Sequence, residues 1–155
     1  MAIKMSDVRA WLDAEEPDYA GAKRKLGEAA LPLLMQLVKG GDLALATKAT
    51  YLASMIRSPK TVPVLEAAAA SSEPVLRVAA AAGIRNLPVT QAERLMDRLQ
   101  TDPDSGVRKV MLRSAAAFTS PRVAERLQRM AKTDPEPFLR ELATTAARGM
   151  KPARK

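Results

Sequence analysis

The chain repeats itself. Segments beginning at Gly40, Ser71, Asp102 and Asp134, spaced by 31, 31 and 32 residues, align so that the same four slots are apolar in every row. The columns are Leu45, Leu76, Val107 and Leu139; Ala49, Ala80, Met111 and Ala143; Ala53, Ile84, Ala115 and Ala147; and Ile56, Leu87, Phe118 and Met150. Steps of four, four and three within a row place each set on one face of a helix. A unit this short cannot bury that face alone and must stack against its neighbours. The period therefore predicts an all-α solenoid.

A second helix precedes the aligned one in each unit. Leu34, Leu65, Met96 and Leu127 share one column, and Leu37, Ala68, Leu99 and Met130 share another three residues on. Leu31-Pro32 matches Val62-Pro63, and proline is tolerated near a helix N-terminus because its missing N–H had no partner there. Ser58-Pro59 and Ser120-Pro121 read as N-cap followed by N1, with Thr61 as the other candidate cap in the second unit. Thr90-Gln91-Ala92-Glu93 reads as a capping box. Gly40-Gly41-Asp42, Ser72-Glu73-Pro74, Asp102-Pro103-Asp104 and Asp134-Pro135-Glu136 form the turns between helices, each supplying a carboxylate to the next helix N-terminus. The units are placed at 27–57, 58–88, 89–119 and 120–151.

Residues 1–26 do not keep this register. Ser6 to Ala14 reads as a short amphipathic helix with Val8, Trp11 and Leu12 inward, and Asp18 to Ala30 as another. Such an atypical pair suits the end of a stack, which covers the core on one side and faces water on the other. Trp11 is the natural lid on the first unit's core. Residues 1–151 are thus expected to form one solenoid domain, with a basic tail at 152–155.

The absence of cysteine and histidine excludes disulfides, thiolate metal sites, cysteine nucleophiles and the commonest general base. Gly40-Gly41 lacks the lysine spacing of a phosphate loop. The acid pairs Asp102/Asp104 and Asp134/Glu136 lack the further ligands of a calcium loop and read as helix caps. No catalytic residue, cofactor site or metal site emerges. No segment is long and apolar enough for a transmembrane helix and the N-terminus lacks a signal-peptide core, so a soluble cytoplasmic protein is the expectation.

The segments Asp102-Pro103-Asp104-Ser105-Gly106-Val107-Arg108 and Asp134-Pro135-Glu136-Pro137-Phe138-Leu139-Arg140 resemble HEAT repeats, most of all the short HEAT-like class first recognised in phycobilisome lyases. The second unit keeps Leu76-Arg77 and Ala79 to Ala82 but has Ser71-Ser72-Glu73-Pro74 for the acidic turn. The first keeps Gly41-Asp42 and Leu45 but has Ala46 in the arginine slot. The resemblance covers 27–151 and implies a right-handed, armadillo-type α-solenoid of about five antiparallel helix pairs. It also implies that Arg77, Arg108 and Arg140 pair with turn acids of a neighbouring unit, and that the second helices line the concave face.

The net charge of +8 invites an acidic partner. Arg94, Arg98, Arg122, Arg126 and Lys132 are assigned to the solvated convex side, where Glu125 and Arg129 form an i,i+4 pair. Lys23-Arg24-Lys25 and the tail add further cations. On the second helices, Arg85, Lys109, Arg113 and Arg148 are the candidate binding residues, with Arg85 and Arg148 in one repeat slot. The expected function is a non-enzymatic scaffold that binds a protein partner through the concave face. The alternative is binding of nucleic acid or another polyanion, disfavoured because aromatics make up only 3% of the chain and base stacking needs them. A third reading, implied by the resemblance, is a subunit of a HEAT-like lyase.

Overall fold

The computed structural model describes residues 2–150, and the basic tail lies outside the described residues. Ten α-helices follow in order: α1 (Met5–Leu12), α2 (Tyr19–Leu26), α3 (Leu31–Val38), α4 (Leu43–Ser54), α5 (Thr61–Ala69), α6 (Pro74–Gly83), α7 (Val89–Leu99), α8 (Ser105–Ala115), α9 (Pro121–Thr133) and α10 (Pro137–Gly149). They form five consecutive pairs, and the all-α solenoid of the sequence reading is the observed architecture. Each apolar column runs through a single elongated core, from Val8 and Leu12 at one end to Ala143 and Met150 at the other.

The helix starts follow local chemistry. Asp42 accepts the N–H of Leu45 at 3.2 Å, and Asp104 accepts those of Gly106 and Val107 at 2.7 and 3.2 Å. Ser120 accepts from Val123 at 3.5 Å, with Pro121 at N1. Two expected caps are corrected. Ser58 accepts the N–H of Lys60 in a turn, and α5 starts only at Thr61, whose hydroxyl donates to the carbonyl of Ile56 at 2.6 Å. Thr90 lies inside α7, which starts at Val89; Pro88 forces Leu87 into extended backbone and so sets the boundary two residues earlier. The expected helix over 18–30 is also split. Gly27, at φ +58, ends α2, and a 3-10 turn over Gly27–Ala30 leads into α3.

The two layers are packed differently. The second helices α4, α6 and α8 approach one another more closely than do α3, α5 and α7. Small side chains allow this: a Cβ on Gly83 of α6 would stand 2.7 Å from the Cβ of Ser54 on α4. This closer packing agrees with a stack that curves toward the second helices, the side that the resemblance to HEAT repeats makes concave. Between the third and fourth repeats the stack loosens. There α10 meets α8 less closely than α8 meets α6, and a cleft of about 610 Å³ opens between Gln100, Asp102, Arg126, Arg129 and Asp134.

A polar ladder runs beside the core. Arg77 donates through Nε and Nη2 to the two carboxylate oxygens of Asp102 at 2.8 and 3.2 Å, and its Nη1 reaches the carbonyl of Ser71 at 2.9 Å. Arg108 repeats the pattern on Asp134 at 2.9 and 3.3 Å and on the carbonyl of Asp102 at 2.7 Å. The acids serve the turn as well: Asp102 and Asp134 accept the N–H groups of Asp104 and Glu136, each at 2.9 Å, as Ser71 accepts that of Glu73 at 3.1 Å. Glu73 and Glu136 stand at the N-cap positions without capping through their side chains. One joint omits the ladder pair altogether. Ala46 and Ser71 occupy the slots of arginine and aspartate, and a hollow of about 630 Å³ lined by Val38, Ala46, Ala67 and Leu76 lies there.

Candidate functional site on the concave face

The four candidate cations do not form one cluster. Arg113 lies one turn beyond Lys109 on α8 and is exposed, whereas Lys109 is half-buried. Its ammonium sits 5.4 Å from the centroid of the Phe138 ring on α10, within cation–π range. Arg85, in a 3-10 turn after α6, and Arg148, in the last turn of α10, are both exposed. Because the second helices run side by side, Arg85, Arg113 and Arg148 edge the C-terminal ends of that layer, while Lys109 belongs with its middle.

The opposite edge of the layer is apolar, and the sequence reading missed it. The slot preceding the first core column holds Ala44, Val75, Gly106 and Phe138. Val75 and Phe138 are 50% and 56% exposed, unusual for residues of this size, and Leu43 beside Ala44 is 37% exposed. Gly106 leaves a gap between Val75 and Phe138, where a hollow of about 310 Å³ is walled by Lys109, Glu136, Phe138 and Leu139. The signal was available: alignment of the rows puts Val75 and Phe138 in one column outside the core stripe. Further along α6 and α8, the half-buried Val78 and Val110 continue the apolar surface. Such a row of apolar residues with cations at its far edge can seat an apolar anchor and orient an acidic neighbour.

Two other expectations change. Arg126 is not a solvated convex residue; it is buried, with Nη1 on Asp97 at 2.7 Å and on Gln100 at 2.6 Å, and with Glu93 4.0 Å from Nη2. Its column reads Leu33, Val64, Leu95 and Arg126, which identifies a core slot. Glu125 and Arg129 do not close into an ion pair among the described residues; the convex pairs are Arg94–Glu66 at 3.4 Å and Arg122–Glu93 at 3.2 Å. At the N-terminal end, Lys48 donates to the carbonyls of Leu12 and Ala14 at 3.1 and 2.8 Å, and Tyr51 meets Tyr19 edge-on with centroids 5.0 Å apart. Trp11 packs half-buried against the first units' core, as expected of a lid.

Among the described residues no group of three or more acids stands together as a metal site, and no helix is long and apolar enough to cross a membrane. The family model described as HEAT repeats matches residues 67–148. The chain belongs to the HEAT-repeat family. No curated protein sequence matches it. Among solved structures it is similar to a chain in the complex of CpcE and CpcF of phycocyanin lyase from a Nostoc species, at 21% identity and a TM-score of 0.68. That match covers 92% of this chain and 96% of the other. The likeness is one of fold.

Proposed function

We propose that this HEAT-repeat chain is a non-enzymatic, cytoplasmic scaffold whose residues 1–151 act as one domain and bind an acidic protein partner on the concave face. The observation that carries this reading is the exposed apolar row of Val75 and Phe138 in one repeat slot, opened by Gly106 between them. A partner's apolar side chain would enter the notch at Gly106. Lys109, Arg113, Arg85 and Arg148 would select carboxylates further along the layer. Apolar residues interrupt the cations, and Glu141 lies among them, which suits a mixed protein surface better than a continuous phosphate backbone.

The test compares affinity capture by the wild-type chain with capture by Val75→Asp/Phe138→Asp. Both side chains are exposed, so the variant should keep its fold, checked by circular dichroism. The reading requires a protein captured by the wild type and lost by the variant. Equal capture by both, or salt-sensitive retention on DNA with no protein partner, would overturn it.

The similarity to a phycocyanin lyase chain favours a second reading, one subunit of a two-subunit lyase. Its test is bilin attachment to phycocyanin apoprotein by this chain mixed with a candidate second subunit. Activity that needs both chains would establish it, and none with any second subunit would remove it.

A further inference from the structure

One rung of the arginine ladder is missing, and its place is hollow. Where the rung is present it has two parts. Arg77 and Arg108 each donate Nη1 to the carbonyl six residues earlier, at 2.9 and 2.7 Å. That anchor turns Nε and Nη2 onto Asp102 and Asp134 of the next repeat. The joint between the first and second repeats has neither member of the pair. Ala46 stands in the arginine slot and Ser71 in the aspartate slot. The carbonyl six residues before Ala46, that of Gly40, accepts no hydrogen bond among the described residues.

The space left behind suits the group that is absent. Val38, Ala46 and Leu76 wall a hollow of about 630 Å³, with Ser71 at one side. An apolar wall beside a polar turn matches the alkyl stem and charged head of an arginine. Lys39 and Glu73 line the same hollow and are both exposed. Glu73 occupies the N-cap position of α6 but caps nothing with its side chain. Its carboxylate joins no ion pair among the described residues. It is therefore available to a guanidinium, as Asp102 is to that of Arg77. Lys39 opposes any cation there, which favours the delocalised, weakly hydrated charge of arginine over a lysine ammonium. Leu43, 37% exposed, flanks the hollow and offers apolar contact to a residue next to the arginine, so the fit is to a polypeptide rather than to a free amino acid.

We propose that this hollow receives an arginine side chain of a protein partner, whose guanidinium supplies the missing rung between the Gly40 carbonyl and Glu73. A second copy of this chain is a poor donor, because a net charge of +8 opposes self-association. The hollow involves none of Val75, Phe138 or the four candidate cations, so the proposal stands or falls independently of the reading above.

The test titrates the full chain, isotopically labelled for NMR, with N-acetyl-arginine N-methylamide, and the citrulline and lysine analogues serve as controls. The proposal requires saturable amide shifts confined to 39–46 and 67–76 with the arginine probe. The lysine analogue must bind more weakly, and citrulline, which keeps the shape without the charge, must not bind. Glu73→Gln must weaken binding about two- to fivefold, the range of an exposed ion pair, and Lys39→Met must tighten it. Both side chains are exposed, so neither variant endangers the fold. Ala46→Arg/Ser71→Asp writes the rung into the chain itself and, once circular dichroism shows it folded, must abolish binding. No saturable shift, an equal response to arginine and lysine, or shifts centred on the exposed acids Asp13, Glu15 and Glu16 would overturn it. So would self-association in sedimentation that the double variant abolishes, since the arginine would then come from a second copy.

Discussion

Replacing Asp134 by Ser removes one carboxylate and almost nothing else, because the protein already uses serine at that slot. Ser71 accepts its turn N–H as Asp134 does, so the substitution keeps the turn and isolates the ladder pair. The side chains of Arg108 and Asp134 are 8% and 2% exposed, so Asp134→Ser strands a buried guanidinium. Stripping one partner from a buried pair costs about 3–5 kcal/mol. For a chain of this length each kcal/mol lowers Tm by about 2–4 °C, giving a fall of about 6–20 °C. Adding Arg108→Met removes the stranded charge while keeping most of the volume, and the double variant should recover most of the loss, since apolar replacement of a whole buried pair is often neutral. Arg94→Ala is the control: its pair with Glu66 is 65% and 42% exposed, and such pairs contribute about 0–1 kcal/mol. The readout is thermal unfolding by circular dichroism at one protein concentration. If Asp134→Ser costs no more than Arg94→Ala, or if the double variant is less stable than the single one, the ladder does not hold the third and fourth repeats as argued.

Two further outcomes follow from the packing. Gly83→Ala places a Cβ 2.7 Å from that of Ser54 and 3.1 Å from Leu65, so α4 and α6 must separate; a loss of about 1–3 kcal/mol is expected in urea unfolding, although alanine is the better helix former. The Tyr19 phenol is held above its ordinary value of 10.0, first by burial and then by Tyr51. The neutral form therefore favours the fold. This contribution is complete below the unfolded value and fades as pH rises through the folded one. An ultraviolet titration of the Tyr51→Phe variant should place Tyr19 ionisation above that of free tyrosine.

The sequence made most of the architecture readable because a repeat reports each slot four times. The apolar columns and the second-helix layer stood in the alignment, whereas the pairing of arginines with turn acids came from the HEAT resemblance; it holds for Arg77 and Arg108 but not for Arg140, whose bonds go to the carbonyls of Asp134 and Pro135. What it hid were events that occur in one row only. Arg126 looked like surface because arginine usually is, although its column of Leu33, Val64 and Leu95 marked a core position. The starts of α5 and α7 were set by Pro88 and by a turn at Ser58, not by the side-chain caps that the residue types suggested. For the candidate site, charge drew notice to Arg85 and Lys109 while the exposed Val75 and Phe138 passed as ordinary apolar residues. Exposure is a property of packing, and periodicity alone does not give it.

The loosened joint before the last helix pair has a mechanical consequence. Layers locked by Ala and Gly resist sliding, since any displacement forfeits many close contacts at once. Where α8 and α10 part and the cleft opens, the restoring force falls mainly to Arg108 on Asp134 and Arg126 on Asp97. The two weakened joints thus differ in kind: the one at Ala46 lacks the polar pair but keeps α4 close on α6, while the one between Lys109 and Phe138 keeps the polar pair and gives up close helix packing.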